Sequence, residues 1–226
     1  GFHKIIDIWG ADHHGYVPRM KSAIQGLGAR KDSFHALLIQ LVSLVREGQG
    51  VSMSTRSGEF VTLKEILDEV GKDVCRYFFM MRRSDAQLVF DLDLAKKKSD
   101  ENPVYYIQYA HARICSILRN AADQGITVGI SDLEPSLLTN GDDLDLIKML
   151  ASFPDVVVSS ASELEPHRIS FYLLDLASAF HRFYNRNRVI TDNVPLTRAR
   201  MILIDSVKQV LANALGLMGI EAPESM

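Results

Sequence analysis

The sequence predicts a mainly α-helical protein in which a short α/β part precedes an all-α bundle. Before residue 102, apolar runs of strand length, at 4–9 and 36–45, alternate with helical patterns. After residue 102, apolar residues recur at helical spacing through several long segments. Asn102 and Pro103 mark the change, because Asn is a favoured helix N-cap and Pro suits the first helical turn.

The elements predicted in the first part follow from their end signals. Gly10 ends the first strand, and Gly28 stops the helix after it. The stretch 62–65 is a capping box for a later helix, and Asp73 is predicted to cap the next one. A polar stretch at 90–101 then leads to the boundary. In chain order, these elements are a strand at 4–9, a helix at 17–27, a strand at 36–45, a hairpin strand at 51–53, and helices at 63–70 and 73–81.

The second part is predicted to contain only helices, separated by Gly and Pro. The expected helices are 103–122, 142–152, 154–164, 167–189 and 197–218, with breaks at Gly125, Gly141, Pro154, Pro166 and Pro195.

Composition and charge narrow the function classes. The chain is 47% apolar and 23% charged, as in ordinary soluble proteins, and no apolar run approaches the roughly 20 residues of a membrane span. We therefore expect no membrane partner. The net charge of −3 argues against indiscriminate nucleic-acid binding, but the segment 168–208 is rich in Arg and Lys. That segment is either a selective contact for a polyanion or a solvated helix face.

The two cysteines, Cys75 and Cys115, lie far apart within helical patterns and have no CxxC spacing. They are expected to be reduced, buried thiols, and no structural metal is expected.

A turn that follows the first strand is a candidate ligand site. Ligands of open α/β sheets bind beyond the carboxyl ends of the strands. Gly10 allows a close approach to the backbone, Asp12 can accept hydrogen bonds from ribose hydroxyls, and His13 can donate to a substrate or phosphate. The alternative is a plain turn in which Asp12 caps the next helix.

A polar loop at 52–58 is the second candidate. It contains Ser54, Thr55 and Arg56, which could close over a triphosphate and stabilise charge on its oxygens. The alternative is an exposed hairpin tip.

Two helices combine aromatic and guanidinium side chains. Tyr106, Tyr109 and Arg113 cluster away from the apolar stripe of the first long helix, and Tyr184 and Arg188 lie one turn apart on the helix predicted at 167–189. Unpaired RNA bases stack on such planes. The alternative is that the first face packs on the α/β part. His111, on the apolar stripe, is expected to be a hydrogen-bonded core histidine.

Several stretches together resemble the bacterial-type arginyl-tRNA synthetases, which are class I enzymes. These stretches are WGADHHGY, VSMSTRSGEFVTLKEILDEVG, RYFFM and FDLDLAKKKSDENPVYYIQYAHARI, and the similarity continues to the end of the chain. The resemblance implies that residues 1–101 are the C-terminal part of a Rossmann-type catalytic domain. It implies that residues 102–226 are a helical anticodon-binding domain.

The resemblance also implies roles for individual residues. Met53, Ser54, Thr55 and Arg56 would form the catalytic signature loop, in which Ser52 and Thr55 stand where the family pattern has lysines. The resemblance does not identify the cation that would contact the phosphates of ATP in place of these lysines. The implied ATP-binding residues are Gly10, Asp12 and His13, and the implied anticodon-binding residues are Tyr106, Tyr109, Arg113, Tyr184, Arg188 and Met226.

The implied activity is arginine–tRNA ligation: arginine is activated with ATP and transferred to the 3′ end of its tRNA, with Mg²⁺ accompanying ATP. The partners would be arginine tRNA, ATP and arginine, in the cytoplasm. The full-length enzyme would be a monomer, whereas the fragment could self-associate. No His-Ile-Gly-His motif occurs, so the chain is expected to begin inside the catalytic domain and to be inactive alone.

Two alternatives remain open. A stand-alone tRNA-binding or regulatory paralogue would keep the bundle without ligase activity. A piece of a cysteinyl-type synthetase would need metal-binding cysteines, for which Cys75 and Cys115 are unsuited.

Overall fold

The computed structural model describes residues 3–51 and 61–226. The chain forms two compact units, one from Gly1–Thr62 with Arg82–Asp93 and the other from Leu63–Met81 with Leu94–Met226. The second unit therefore contains two whole helices and part of a third that precede residue 102. The assignment of 1–101 and 102–226 to two functional domains stays a prediction.

The first unit begins with a parallel pair of strands. Strand β1 (Ile5–Gly10) pairs with β2 (Phe34–Ile39), and Gly10 lies opposite Ile39 at the carboxyl ends of both strands. Between them lie a 3₁₀ helix at Ala11–Tyr16 and helix α1 (Val17–Gly26). The predicted first strand and helix are confirmed within one or two residues.

A second sheet of the same unit has the order β4-β3-β5. Strand β3 (Val42–Arg46) is antiparallel to β4 (Gln49–Val51) and parallel to β5 (Leu88–Asp91). The prediction of one strand at 36–45 was wrong. The chain leaves the first sheet after Ile39, and the backbone N–H of Gln40 donates to the carbonyl of Ser84 at 2.8 Å.

Strand β5 was not predicted, and the polar stretch predicted at 90–101 includes its last two residues. Leu88 and Phe90 are buried whereas Val89 between them is exposed, which is the alternation of a half-buried strand. Asp93, in the short helix that follows the strand, accepts a hydrogen bond from the backbone N–H of Glu47 at 2.5 Å.

The second unit is a helical bundle with two short helices beside it. Its long helices pack on one another around buried side chains that include Ile107, Leu173, Phe180 and Ile204. The helices of the chain after α1 are α2 (Leu63–Val70), α3 (Lys72–Met80), α4 (Leu92–Lys96), α5 (Pro103–Asp123), α6 (Gly141–Glu163), α7 (His167–Arg186) and α8 (Val194–Leu217). Among the described residues, none of the helices is long and apolar enough to cross a membrane.

Three long helices begin at an asparagine N-cap. The side-chain oxygen of Asn102 accepts from the backbone N–H of Val104 at 3.1 Å, as predicted from the sequence. Asn140 and Asn193 cap α6 and α8 in the same manner. Each cap satisfies an N–H that has no partner within its helix.

Four predictions about helix ends were wrong. Helix α8 begins at Val194 rather than at 197, and Pro195, which was expected to be a break, lies in its first turn. Helix α6 is continuous, with Pro154 inside it, because packing against α7 and α8 outweighs the loss of one backbone hydrogen bond. Asp73 is not an N-cap: Gly71 occupies that position, with φ at 85°. Helix α7 ends at Arg186, because Asn187 has an extended backbone and its amide donates to the carbonyl of Phe183 at 3.1 Å.

Candidate nucleic-acid interface

A guanidinium held between two tyrosines joins α5 to α7. The Arg113 guanidinium carbon lies 4.5 Å from the centroid of the Tyr109 ring and 4.7 Å from that of Tyr184. Arg113 also donates to the hydroxyl of Tyr109. The sequence predicted these three residues for RNA binding but placed the α5 pair on an exposed face. In the structure Tyr109 and Arg113 are half-buried and Tyr184 is 37% exposed.

His181 supports this cluster from α7. Its ring centroid lies 4.5 Å from that of Tyr106 and 5.9 Å from that of Tyr109, and its Nε2 donates to the carbonyl of Tyr106 at 3.3 Å. Burial lowers the pKa of His181, and the nearby charge of Arg113 acts in the same direction. A neutral imidazole therefore packs beneath the tyrosines near neutral pH. The sequence analysis missed His181, although it lies close to one helical turn before Tyr184.

The C-terminal segment, residues 219–226, is tied to α5 by side chains on one face of that helix. Gln108 donates to the carbonyl of Glu221 at 2.9 Å, His111 to that of Pro223 at 2.8 Å, and Arg119 to that of Glu224 at 3.0 Å. The prediction that His111 is a hydrogen-bonded core residue is confirmed. These bonds fix the course of the last residues along the helix.

This course brings Met226 to a cavity between α5 and α7. The cavity has a volume of about 290 Å³, and Tyr109, Arg113, Tyr184 and Met226 line it together with Ile117. Four of the six predicted anticodon-binding residues therefore meet at one place. Aromatic rings, a guanidinium edge and a methionine offer a base both stacking surfaces and hydrogen-bond donors.

The other two predicted residues lie elsewhere. Tyr106 packs against His181 and is not part of the cavity lining. Arg188 lies beyond the end of α7, so the prediction that it stands one helical turn from Tyr184 was wrong. It is exposed, and it lines a second cavity of about 600 Å³ whose wall includes Ile117 and Tyr184 as well.

The turn that follows β1 in the first unit is the predicted nucleotide site. A Cβ atom on Gly10 would lie 2.5 Å from a side-chain oxygen of Asp12, so a larger residue there would displace this exposed carboxylate. Asp12 pairs with Nε2 of His13 at 3.6 Å. The alternative in which Asp12 caps the next helix is wrong, because the N-cap of α1 is Tyr16. Gly10 and His13 line a cavity of about 460 Å³, and Asp12 is not part of that lining.

The predicted signature-loop residues Met53, Ser54, Thr55 and Arg56 lie outside the described residues. Within the described part of the chain, no group of three or more His, Cys, Asp or Glu side chains is arranged to hold a metal ion.

Comparison with known proteins gives matches along the whole chain. An arginine–tRNA ligase of Syntrophotalea carbinolica is 57% identical over all of this chain, and one of Desulfosudis oleivorans is 54% identical. The chain spans only 41% of the length of each of these relatives.

Solved structures agree with these matches. A structure from Campylobacter jejuni, provisionally described as an arginyl-tRNA synthetase, matches 99% of this chain and 48% of its own with a TM-score of 0.85 and 37% identity. The Thermus thermophilus arginyl-tRNA synthetase matches 99% of this chain and 41% of its own with a TM-score of 0.80 and 27% identity.

A family match covers the bundle itself. Residues 107–226, which include the cavity between α5 and α7 and the C-terminal segment, match the family described as the DALR anticodon binding domain. This match covers more than half of the chain, and so the chain belongs to the DALR anticodon-binding domain family.

Proposed function

We propose that the chain binds the anticodon loop of arginine tRNA as part of a cytoplasmic arginine–tRNA ligase. The observation that carries the proposal is the cavity between α5 and α7, where Tyr109, Arg113, Tyr184 and Met226 meet in a member of an anticodon-binding family. The high identity to arginine–tRNA ligases along the whole chain supports the choice of amino acid.

The cavity suits an unpaired base for two physical reasons. The exposed part of Tyr184 and the rim formed by Met226 give flat and apolar surfaces on which a base can stack. Arg113 is already held between two rings, so little side-chain entropy is lost when its remaining N–H groups donate to a base edge. A base that leaves the loop stack would therefore enter a preformed site.

The proposal extends to the first unit as one wall of an ATP site. Gly10 is the last residue of β1 and His13 follows it, at the carboxyl end of the strand, where ligands of parallel sheets bind. His13 could donate to a phosphate, and Asp12 could accept from ribose hydroxyls. Mg²⁺ would be held largely by the phosphates of ATP, which is its usual mode in such sites. Residues 53–56 would supply the signature loop.

Replacement of Tyr109 tests the anticodon proposal. Tyr109→Ala in the full-length protein should weaken binding of an arginine tRNA transcript by about 1–3 kcal/mol, the range for one base–aromatic stack. Tyr109→Phe should retain most of the affinity, because the ring remains. A filter-binding or fluorescence titration at fixed salt measures both variants.

Phe171→Ala is the matched control, because Phe171 is an exposed aromatic residue on α7 that lines neither cavity of the interface. It should leave tRNA affinity unchanged. Equal affinity of Tyr109→Ala and the parent, with both proteins folded, would exclude this cavity as the base site.

A further inference from the structure

The loop that connects α7 to α8, residues 187–193, is tied to the first turns of α8. The hydroxyl of Thr197 accepts from the backbone N–H of Thr191 at 2.9 Å and donates to the carbonyl of the same residue at 3.1 Å. Arg200 donates to the carbonyl of Arg188 at 2.7 Å and to the side-chain oxygen of Asn187 at 3.3 Å. Hydrogen bonds from α8 therefore hold the loop at residues 187 and 188 and again at Thr191.

Arg200 is itself buried beside a buried carboxylate. Its Nε lies 3.6 Å from an oxygen of Asp143, and the two side chains are only 10% and 1% exposed. Within the described part of the chain, the carboxylate oxygens of Asp143 have no hydrogen-bond partner. The ring of Phe183 lies 5.9 Å from the Arg200 guanidinium.

Stability alone does not explain such a pair. Burying two charges costs several kcal/mol of hydration, and well-packed apolar residues in their place are often at least as stabilising. What apolar residues cannot do is hold a carbonyl and an amide oxygen in fixed directions. Arg200 does so with its planar fork, while Asp143 compensates its charge.

We propose that Arg200 is a positioning residue for RNA recognition, which acts through the loop it holds. By holding the side-chain oxygen of Asn187 and the backbone carbonyl of Arg188, it determines where the exposed Arg188 side chain stands beside Tyr184 in the cavity of about 600 Å³. Arg200 does not line that cavity. The inference rests on the proposed function, since it requires that Arg188 contact the tRNA.

A double-mutant cycle in the full-length protein tests the inference. Arg200→Lys keeps the charge but loses the fork, and it should weaken binding of an arginine tRNA transcript about 5- to 150-fold, the range for one arginine contact to a nucleotide. In an Arg188→Ala background the same change should alter the affinity by less than about twofold, because the side chain that it positions is gone. Thr197→Val, which removes the other tie, should behave in the same way if Arg200→Lys does not fold.

Val207→Ala is the control for a general loss of stability, because Val207 is buried in α8 and two turns beyond Arg200. It should lower the unfolding midpoint without changing tRNA affinity at a temperature where both variants are folded.

The outcomes separate the inference from the proposed function. If Tyr109→Ala and Arg188→Ala both weaken binding but Arg200→Lys is additive with Arg188→Ala, the positioning role is refuted and the anticodon site stands. If neither Tyr109→Ala nor Arg188→Ala weakens binding, the proposed function fails, and the inference fails with it.

Discussion

Gly219 occupies a position where a single methyl group should loosen the C-terminal segment. It follows α8 with φ at 66°, in the left-handed region that favours glycine. A Cβ atom there would lie 2.8–2.9 Å from the guanidinium of Arg76, which donates to the carbonyl of Met218 at 2.6 Å. Gly219→Ala therefore strains the backbone and pushes Arg76 away from its partner.

The expected loss of stability can be worked out from these contacts. A left-handed conformation costs an alanine about 1–2 kcal/mol. Because Arg76 is exposed and its hydrogen bond is only partly buried, loss of this bond costs about 1 kcal/mol rather than the higher value of a buried charged group. The lower entropy of the unfolded chain returns about 0.4–1 kcal/mol. The net destabilisation of the bundle is about 1–2.6 kcal/mol.

Urea unfolding followed by the helical circular dichroism signal measures this loss. In an Arg76→Ala background Gly219→Ala should cost about 1 kcal/mol less, since there is no guanidinium to displace. An equal cost in both backgrounds would show that Arg76 is not involved. A neutral or stabilising Gly219→Ala would refute the reasoning entirely, because it would mean that the turn readjusts without strain.

Three further predictions concern the same bundle. Met226→Ala should weaken tRNA binding about fivefold, because it removes apolar surface from the cavity rim, and should leave the unfolding midpoint unchanged. Burial lowers the pKa of His181, so as the pH falls the unfolded chain binds a proton at this residue before the folded chain does. The free energy of unfolding should therefore decrease from pH 6.5 down to the lowered pKa of the folded state, by at most about 1.4 kcal/mol per pH unit. His181→Gln should flatten this part of the profile of urea midpoint against pH. Burial raises the pKa of Cys75 and Cys115, so Ellman's reagent should label neither thiol rapidly at pH 7 in the folded protein. In urea it should label both. Rapid labelling of the native chain would contradict their burial.

Local signals in the sequence predicted the helices of the bundle well. Helix α5 begins with the predicted cap at Asn102, and the predicted core residues Leu173 and Phe180 of α7 are fully buried. These features depend on helical period and on capping, which are encoded within a few residues of the chain. The same information could not foresee that α6 runs through Pro154, because the packing of both of its halves on other helices decides that outcome.

The strands were harder to predict for the same physical reason. Residues 36–45 form an apolar run interrupted only by Gln40 and Ser43, and no Gly or Pro marks the point at which β2 and β3 separate into different sheets. The separation is fixed by partners that are distant in sequence, namely β1 for β2 and β5 for β3. The spacing of apolar residues along a strand predicts which of its side chains are buried, but not which other strand pairs with it.

The candidate site shows the same division between local and distant information. Composition and the family resemblance identified Tyr109, Arg113 and Tyr184. The sequence could not show that the guanidinium lies between rings from helices that begin 64 residues apart, at residues 103 and 167. Nor could it show that His181 packs beneath Tyr106, because that contact depends on how α5 and α7 cross.

The arrangement of Arg113 determines how the site can discriminate between bases. Because both tyrosine rings already contact its guanidinium, much of the cation–π stabilisation, about 1 kcal/mol for each ring, is present before RNA binds. A base that enters the cavity therefore gains stacking on exposed ring surface, which every base provides, and hydrogen bonds to the guanidinium N–H groups that remain free. Stacking contributes affinity with little selectivity, whereas these donors, held in fixed directions by the two rings, favour a base edge that presents acceptors to them. Discrimination should therefore depend more on Arg113 than on Tyr109, even though loss of either residue weakens binding.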